Sequence, residues 1–404
     1  MKKKTFYKDE LIRTTLFAFI CFLTTSDSLQ PSFSVERGLS STKVKTATEL
    51  KALVEKSAFR RRGSKNYKKS WTHWLFASVD TIRYELAQIL PDPVNEKELK
   101  KLSFSLGVAA DEGEMPSFGE AGARAGYALD YFCRARLLAD LLIDTENPTL
   151  PDFWADVVQK HALMQYRSDV TDAALPCNLT SLGGGPGFDF VSAGLVSTFN
   201  TAGESNMRTP INATILDYEP GWESLVIAMN EATSKVLMSE NILSCKWGGT
   251  CDITKSLQHP SNTACLRAVK TTTIWTCQYC VAENAKRLRE SDFVFFRELF
   301  DAAAIGSLFV ITETTPRLWP EFYELLLEQN EKKGSNAVMK IGLPYMRGPH
   351  MMIYKAEFAS GDSSVISTRD LESIQHYMQY SQNHKNLMET GWKRQKRKRL
   401  EIPK

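Results

Sequence analysis

Histidine is scarce in this chain, six among 404 residues, and nowhere clustered. Zinc sites draw three or four ligands from Cys, His and acid at short spacings. Only Cys277-Gln-Tyr-Cys280 has the two-residue gap of a zinc knuckle, and in a strand positions three apart face opposite sides of the sheet, where they cannot share an ion. The other cysteines, Cys21, Cys133, Cys177, Cys245, Cys251 and Cys265, have no repeating spacing, so buried free thiols and no metal are expected. Cys245 and Cys251 bracket Trp247-Gly-Gly and form the pair placed to bridge in an oxidising compartment. Long apolar runs are missing too. Leu16 to Leu23 is too short to span a membrane, so no stable insertion is expected. With Lys2 to Lys4 before it and the Ser-rich stretch Ser26 to Thr48 after it, it has the layout of a secretory or organelle address. Against export stand Asn178-Leu-Thr180 and Asn212-Ala-Thr214, glycosylation acceptors in strand candidates where a glycan would sit badly. An excess of one charge is also lacking, the net being +3. Its distribution is uneven, because the segment from Lys393 onward holds seven basic residues against Glu401. The run Lys393 to Arg399 reads as a nuclear-import or nucleic-acid-binding tail, which favours nucleus or cytoplasm.

What the chain has is glycine in one place. Ser181-Leu-Gly-Gly-Gly-Pro-Gly187 follows a short strand candidate, Leu175 to Leu182, and opens a helix read over Val191 to Phe199. Glycine tolerates positive φ and lets a ligand approach the backbone, while the free N–H groups of the next helix face polar atoms. Alternating elements follow: strand Ala213 to Asp217, helix Trp222 to Leu237, strand at Ile242 with a polar turn Trp247 to Thr250, and Asp252. Then come strand Thr271 to Val281 ending at Glu283, helix Asp292 to Ala304, and strand Gly306 to Glu313. This order is that of βαβ units in a doubly wound α/β sheet. After helix Trp319 to Gln329, the segments Ala337 to Leu343 and His350 to Ala356 read as an antiparallel hairpin. Upstream, residues 45–165 read as helical, with amphipathic stretches at Leu75 to Leu90 and Tyr127 to Ile143 and an acidic loop, Asp111 to Pro116, between them.

The nicotinamide fingerprint G-x-G-x-x-G fails in both registers, because Phe188 and Phe190 stand where its third glycine belongs. The spacing x-G-x-G-x-G through Gly183, Gly185 and Gly187 resembles motif I of the class I S-adenosylmethionine-dependent methyltransferases, over residues 170–360. The closing hairpin is a second point of resemblance, since that class ends in such a pair. Within the superfamily the chain is similar to eukaryotic members with Gly-Gly-Gly-Pro-Gly loops and, faintly, to fungal ribosomal-RNA uridine methyltransferases. The resemblance implies a Rossmann-like domain binding S-adenosyl-L-methionine, with Gly183, Gly184, Gly185 and Gly187 under its methionine part. It implies Asp217 at the ribose and Asp252 at the adenine amine. It places Tyr279 to Glu283 at the transfer site, with Glu283 as general base and Tyr279 as ring wall or hydrogen-bond partner. Glu313 is a weaker alternative base.

Two departures stand out. Ser181 occupies a position often acidic in the family, for which Asp189 is the substitute or, alternatively, a helix-start acid stabilised by the helix dipole. No Asn-Pro-Pro-Tyr follows the fourth strand. The expected layout is a leader or extension over 1–44, a helical region and possible substrate lid over 45–165, the catalytic domain over 170–360, and a helix with a basic tail over 361–404. RNA is the favoured acceptor, from the tail and from Arg60-Arg-Arg62, Lys65, Lys68 and Lys69 interleaved with Tyr67, Trp71 and Trp74. Trp71 and Trp74, three apart, also fit one buried helix face. The competing readings are a nucleotide-binding protein without catalysis and a nicotinamide oxidoreductase.

Overall fold

Period-two alternation of apolar residues builds the sheet. In β5 (Leu308–Thr312), Leu308 and Val310 enter one core cluster while Phe309 and Ile311 enter the other, so the strand is buried on both faces. The same division holds for β1 (Cys177–Leu182), β2 (Ile211–Asp217) and β4 (Ile274–Gln278). With β3 (Leu243–Thr250), β6 (Ala337–Gly342) and β7 (His350–Glu357), they form one seven-stranded sheet in the order β3-β2-β1-β4-β5-β7-β6. The first five strands pair in parallel, and β7 runs antiparallel to both β5 and β6. The architecture is therefore α/β, doubly wound and Rossmann-like, closed by an antiparallel pair and preceded by a helical region. This computed structural model describes residues 44–58, 65–112, 115–143, 149–159, 176–201, 209–238, 243–332, 336–343, 349–358 and 365–379. The leader, the Arg60 cluster, Lys65's side chain and the Lys393 run lie outside them. The described residues from Lys45 onward belong to one unit.

One face of the sheet carries the helices Phe188–Asn200 and Glu223–Leu237, covered in turn by the N-terminal helices. Phe199 packs edge-on to Tyr67 and Trp71 at ring distances of 5.3 and 5.0 Å, and beside Trp74 at 5.4 Å. Trp71 and Trp74 are buried, and the Trp71 indole donates to Asp140 at 2.8 Å. The tryptophans of the supposed RNA-stacking cluster thus belong to the core, and Tyr67 is part-buried against it. The opposite face carries the helices Val294–Ala302 and Trp319–Glu331. Lys355 of β7 is buried there, and its ammonium donates to the carbonyls of Phe300, Asp301 and Ala303, each at 2.8 Å, which satisfies the end of that helix.

Four local readings differ from the sequence. The fourth strand ends at Gln278 rather than Val281, because Tyr279 takes a left-handed φ of 58° and turns the chain back. Trp247-Gly-Gly-Thr250 is strand, not turn; it stays in β3 with a register shift opposite Ile215 and Leu216. The stretch Tyr127 to Ile143 is two helices, Ala121–Asp130 and Cys133–Ile143, with Phe132 buried between them against Phe188. Asp111 and Glu112 finish the helix Glu96–Glu112 instead of lying in a loop. Asn178 and Asn212 both lie in strands and are hydrogen-bonded there, to Thr271 and Ser244.

Candidate functional site

Strand order reverses between β1 and β4, and at the carboxyl ends of these strands an open α/β sheet leaves a crevice. Here it is a cavity of about 710 Å³, counting space open to solvent. Its floor is the glycine loop. Gly183, Gly185 and Gly187 have φ of 61°, 49° and 95°, so side chains at any of the three would be strained. Gly184 sits so close to Ser181 and Ile215 that a Cβ would meet the Ile215 methyl at 2.9 Å. The helix Phe188–Asn200 starts directly after Gly187.

Asp217, the last residue of β2, is buried and ties the loop down. Its Oδ2 accepts from the Gly185 N–H at 3.0 Å and its Oδ1 from the Glu219 N–H at 3.0 Å. Burial pushes its carboxyl up to about 6 against these hydrogen bonds. Asp252, past the end of β3, accepts at Oδ1 from the Thr254 N–H at 2.9 Å and hydroxyl at 2.7 Å. Its Oδ2 makes no hydrogen bond among the described residues, and both acids line the cavity. Ser181 and Gly187 do not line it. The Ser181 hydroxyl instead donates to Asp189, which also accepts from Thr276 and Gln278. Asp189 forms part of the cavity wall, yet its oxygens knit β1, β4 and the helix start together. Burial holds it up at about 6, with the Ser181 and Thr276 bonds opposing.

Glu283 lies half-buried beyond β4, faces the cavity and makes no hydrogen bond among the described residues. Burial pushes its carboxyl up to about 8; Arg134 opposes the shift, while Glu313 and Asp217 add to it. The next helix, Ala285–Glu290, begins at Asn284 without a side-chain cap, so Glu283 does not serve as one. Glu313 is the reverse case: fully buried, outside the cavity lining, and accepting from the Ala282 N–H at 2.8 Å to hold the turn. Tyr279 lines the cavity with its ring beneath a guanidinium, the carbon of Arg134 lying 4.3 Å from the ring centre.

Arg134 is the charged residue of the cavity that the sequence reading missed. It stands at the start of the helix Cys133–Ile143 and is the only cation lining the cavity among the described residues. Its guanidinium also lies 4.8 Å from the Tyr131 ring centre and 5.3 Å from that of Tyr127, whose hydroxyl takes one of its N–H groups. The available signal was Tyr127, Tyr131 and Arg134, spaced as neighbours on a helix face. The helical region also supplies a strap, residues 115–120. Its carbonyls at Phe118 and Gly119 accept from Arg124 at 2.5 and 2.8 Å, and its Pro116 carbonyl accepts from the Tyr218 hydroxyl. Phe118 packs at a tilt against Trp222, ring centres 5.1 Å apart, and both line the cavity, Trp222 beside Gly185. Two buried polar atoms of the lining, Trp222 Nε1 and Gln278 Oε1, have no hydrogen-bond partner among the described residues. They offer a donor and an acceptor to a ligand.

No family model matches this chain, and neither does any curated protein. Solved structures give distant likenesses. The fibrillarin/Nop5p complex aligns at 13% identity and a TM-score of 0.24, over 53% of this chain and 90% of the other. A TDP-rhamnose 3′-O-methyltransferase of calicheamicin biosynthesis aligns at 13% identity and a TM-score of 0.27, over 55% and 92%. A protein of Listeria monocytogenes, described as a class I S-adenosylmethionine-dependent methyltransferase, aligns at 12% identity and a TM-score of 0.32, over 76% and 99%.

Proposed function

We propose that this chain binds S-adenosylmethionine and transfers its methyl group. The observation that carries the reading is the make-up of the lining around a glycine loop at the switch point: four carboxyl groups, Asp189, Asp217, Asp252 and Glu283, with Arg134 the only cation among the described residues that line it. A dinucleotide would bring two phosphate charges into that acidic surface, whereas a nucleoside with a sulfonium and an amino group brings cations and hydroxyls. Among the donor groups, Asp217 suits the ribose hydroxyls, Asp252 Oδ2 the adenine amine, and Arg134 a carboxylate. When bound, the cofactor supplies an already activated methyl group, so the protein needs only to position the acceptor about 3 to 3.5 Å away in line and exclude water. Tyr279 walls the acceptor side, the strap excludes water, and Glu283, poised near neutrality, takes a proton from a hydroxyl or amine acceptor. Metal plays no part in this reading.

For the acceptor we favour RNA. With Trp71 and Trp74 in the core, that preference rests on the basic run after Lys393 and on the exposed Lys68 and Lys69. The test is calorimetric titration of the full chain with S-adenosylhomocysteine, with NADH in parallel. Micromolar binding of the first and none of the second is expected, followed by transfer of labelled methyl to an RNA fraction. Binding without transfer to any fraction would favour the catalytically silent reading instead. A folded protein that binds NADH alone would refute the proposal.

A further inference from the structure

The left-handed turn at Tyr279 does more than shorten β4. By reversing the chain one residue after the strand, it returns Cys280 to the side of Cys277, and the two sulfurs lie 2.8 Å apart. The expectation that they face opposite sides of the sheet therefore fails. Cys277 is buried, whereas Cys280 is part-exposed and lines the cavity. Cys280 also touches the glycine loop: its thiol lies 3.6 Å from the Leu182 carbonyl, and a Cβ on Gly183 would meet its sulfur at 2.9 Å. Cys251 and Cys265, also buried, are a second pair of neighbouring thiols, of which Cys251 lines the cavity and Cys265 does not. Cys245 is a free thiol and not Cys251's partner.

We propose that Cys277 and Cys280 are a reversible redox modification site, closed to a disulfide by a small hydroperoxide that enters through the cavity. In the first step Cys280 loses its proton and its sulfur attacks the peroxide: an S–O bond forms as the O–O bond breaks, Cys280 becomes a sulfenic acid, and the leaving oxygen takes up the proton and departs as water or an alcohol. In the second, the Cys277 sulfur attacks the sulfenic sulfur, the S–O bond breaks, and a second water leaves with the Cys277 proton. Two electrons pass from the thiols to the peroxide, and an external dithiol returns them. The pair's surroundings favour the closed form over a dithiolate. The hydrogen bond it shares with Cys277, which keeps the proton on Cys280, and then burial hold the Cys280 thiol well above its usual range. For Cys277 that bond acts downward, but burial and the carboxylates of Glu313, Asp189 and Glu283 still leave the thiol raised. Reduced pairs that stabilise thiolate are the strongly oxidising ones, and this pair is of the opposite kind: once closed it stays closed until the dithiol reopens it, while the attacking Cys280 thiolate is scarce near neutral pH, so closure by peroxide is slow there and quickens as pH rises.

Closure ties the Tyr279 turn into a covalent ring against the glycine loop. Resting on the proposed function, this implies that the oxidised protein binds S-adenosylhomocysteine more weakly. Trypsin cutting after Lys270 and Lys286 releases Thr271 to Lys286, a peptide containing these two cysteines and no other. Full-chain protein is treated with limiting hydrogen peroxide, blocked by alkylation, digested and weighed. The expected peptide is lighter by two hydrogens, resists alkylation, and becomes doubly alkylated after dithiothreitol. In Cys277→Ser, dimedone should trap Cys280 as the sulfenic acid. A wild-type peptide that stays fully alkylated, or goes directly to sulfinic acid, overturns the proposal whether or not the cofactor reading holds. The coupling to the site is read separately, as an affinity loss of about tenfold that dithiothreitol restores, equivalent to about 1.4 kcal/mol. Equal affinity in both redox states overturns the coupling, and a reduced protein that does not bind at all counts against the proposed function.

Discussion

At the scale of single residues, Glu283 and Glu313 separate two carboxylates that look alike in sequence. Both follow a strand and both are raised, to about 8 and about 7, with burial as the largest cause. Only Glu283 faces the cavity, so only Glu283 should shape the reaction. With a hydroxyl or amine acceptor, transfer is expected to rise with pH and level off above about 8, because the base must be ionised. Glu283→Gln should lower kcat by roughly 10²- to 10⁴-fold and remove the inflection, with affinity for S-adenosylhomocysteine little changed. An unchanged pH–rate profile in the variant would exclude it as the base. Asp217→Ala should instead act on affinity, since it loses the carboxylate proposed for ribose and frees the Gly185 N–H. Loss of a charge-assisted contact of about 1.5–3 kcal/mol corresponds to a weakening of roughly ten- to a hundredfold by calorimetry. The positions of these acids were legible because each follows an apolar run, at the place where a strand must end. The partner of Ser181 was legible only as an alternative, since nothing in the spacing tells whether Asp189 turns outward or into the sheet. It turns inward, because Ser181, Thr276 and Gln278 surround it with donors.

At the scale of elements, the sheet could be read because each strand is buried on two faces and bounded by polar turns. The strap could not. Its fold depends on Arg124, whose side chain reaches back to the Phe118 and Gly119 carbonyls and lies against Gly221 in the loop after β2. A contact between segments about a hundred residues apart leaves no local pattern, and neither does the break at Tyr131-Phe132, where no proline or glycine marks the turn. The Tyr279 turn is concealed for a related reason: a non-glycine residue at positive φ is uncommon and has no sequence signature. The strap gives an element-scale test. Arg124→Ala should release residues 115–120 and weaken S-adenosylhomocysteine binding about tenfold, with stability lowered by about 1–3 kcal/mol from the carbonyls left unpaired. Arg124→Lys should rescue this only in part, because an ammonium does not reproduce the planar fork. Chemical denaturation beside calorimetry separates the two effects. Full affinity in a folded Arg124→Ala protein would remove the strap from the site.

At the scale of the whole molecule, the folded chain is a store of protons. Asp189 and Asp217 are raised to about 6, Glu313 to about 7 and Glu283 to about 8, each chiefly by burial. Each folded value lies above the unfolded one, so the folded state binds more protons than the unfolded state between about pH 4 and pH 8. These groups' contribution to stability is therefore complete below their unfolded values near 4 and is lost as pH rises through 6 to 8. The Tm of the unliganded protein should fall over that window. A positively charged ligand reverses part of the loss, because it favours the ionised carboxylates that burial disfavours. S-adenosylmethionine and S-adenosylhomocysteine differ by one methyl group and one positive charge. The Tm increase from the first should therefore exceed that from the second by a margin that widens between pH 6 and pH 8.5. A margin independent of pH would mean that the acids do not face the sulfonium. A widening margin would also account for turnover: transfer with proton capture by Glu283 converts a cation beside a carboxylate into two neutral groups. The acidic lining then has less hold on the spent cofactor than on the fresh one.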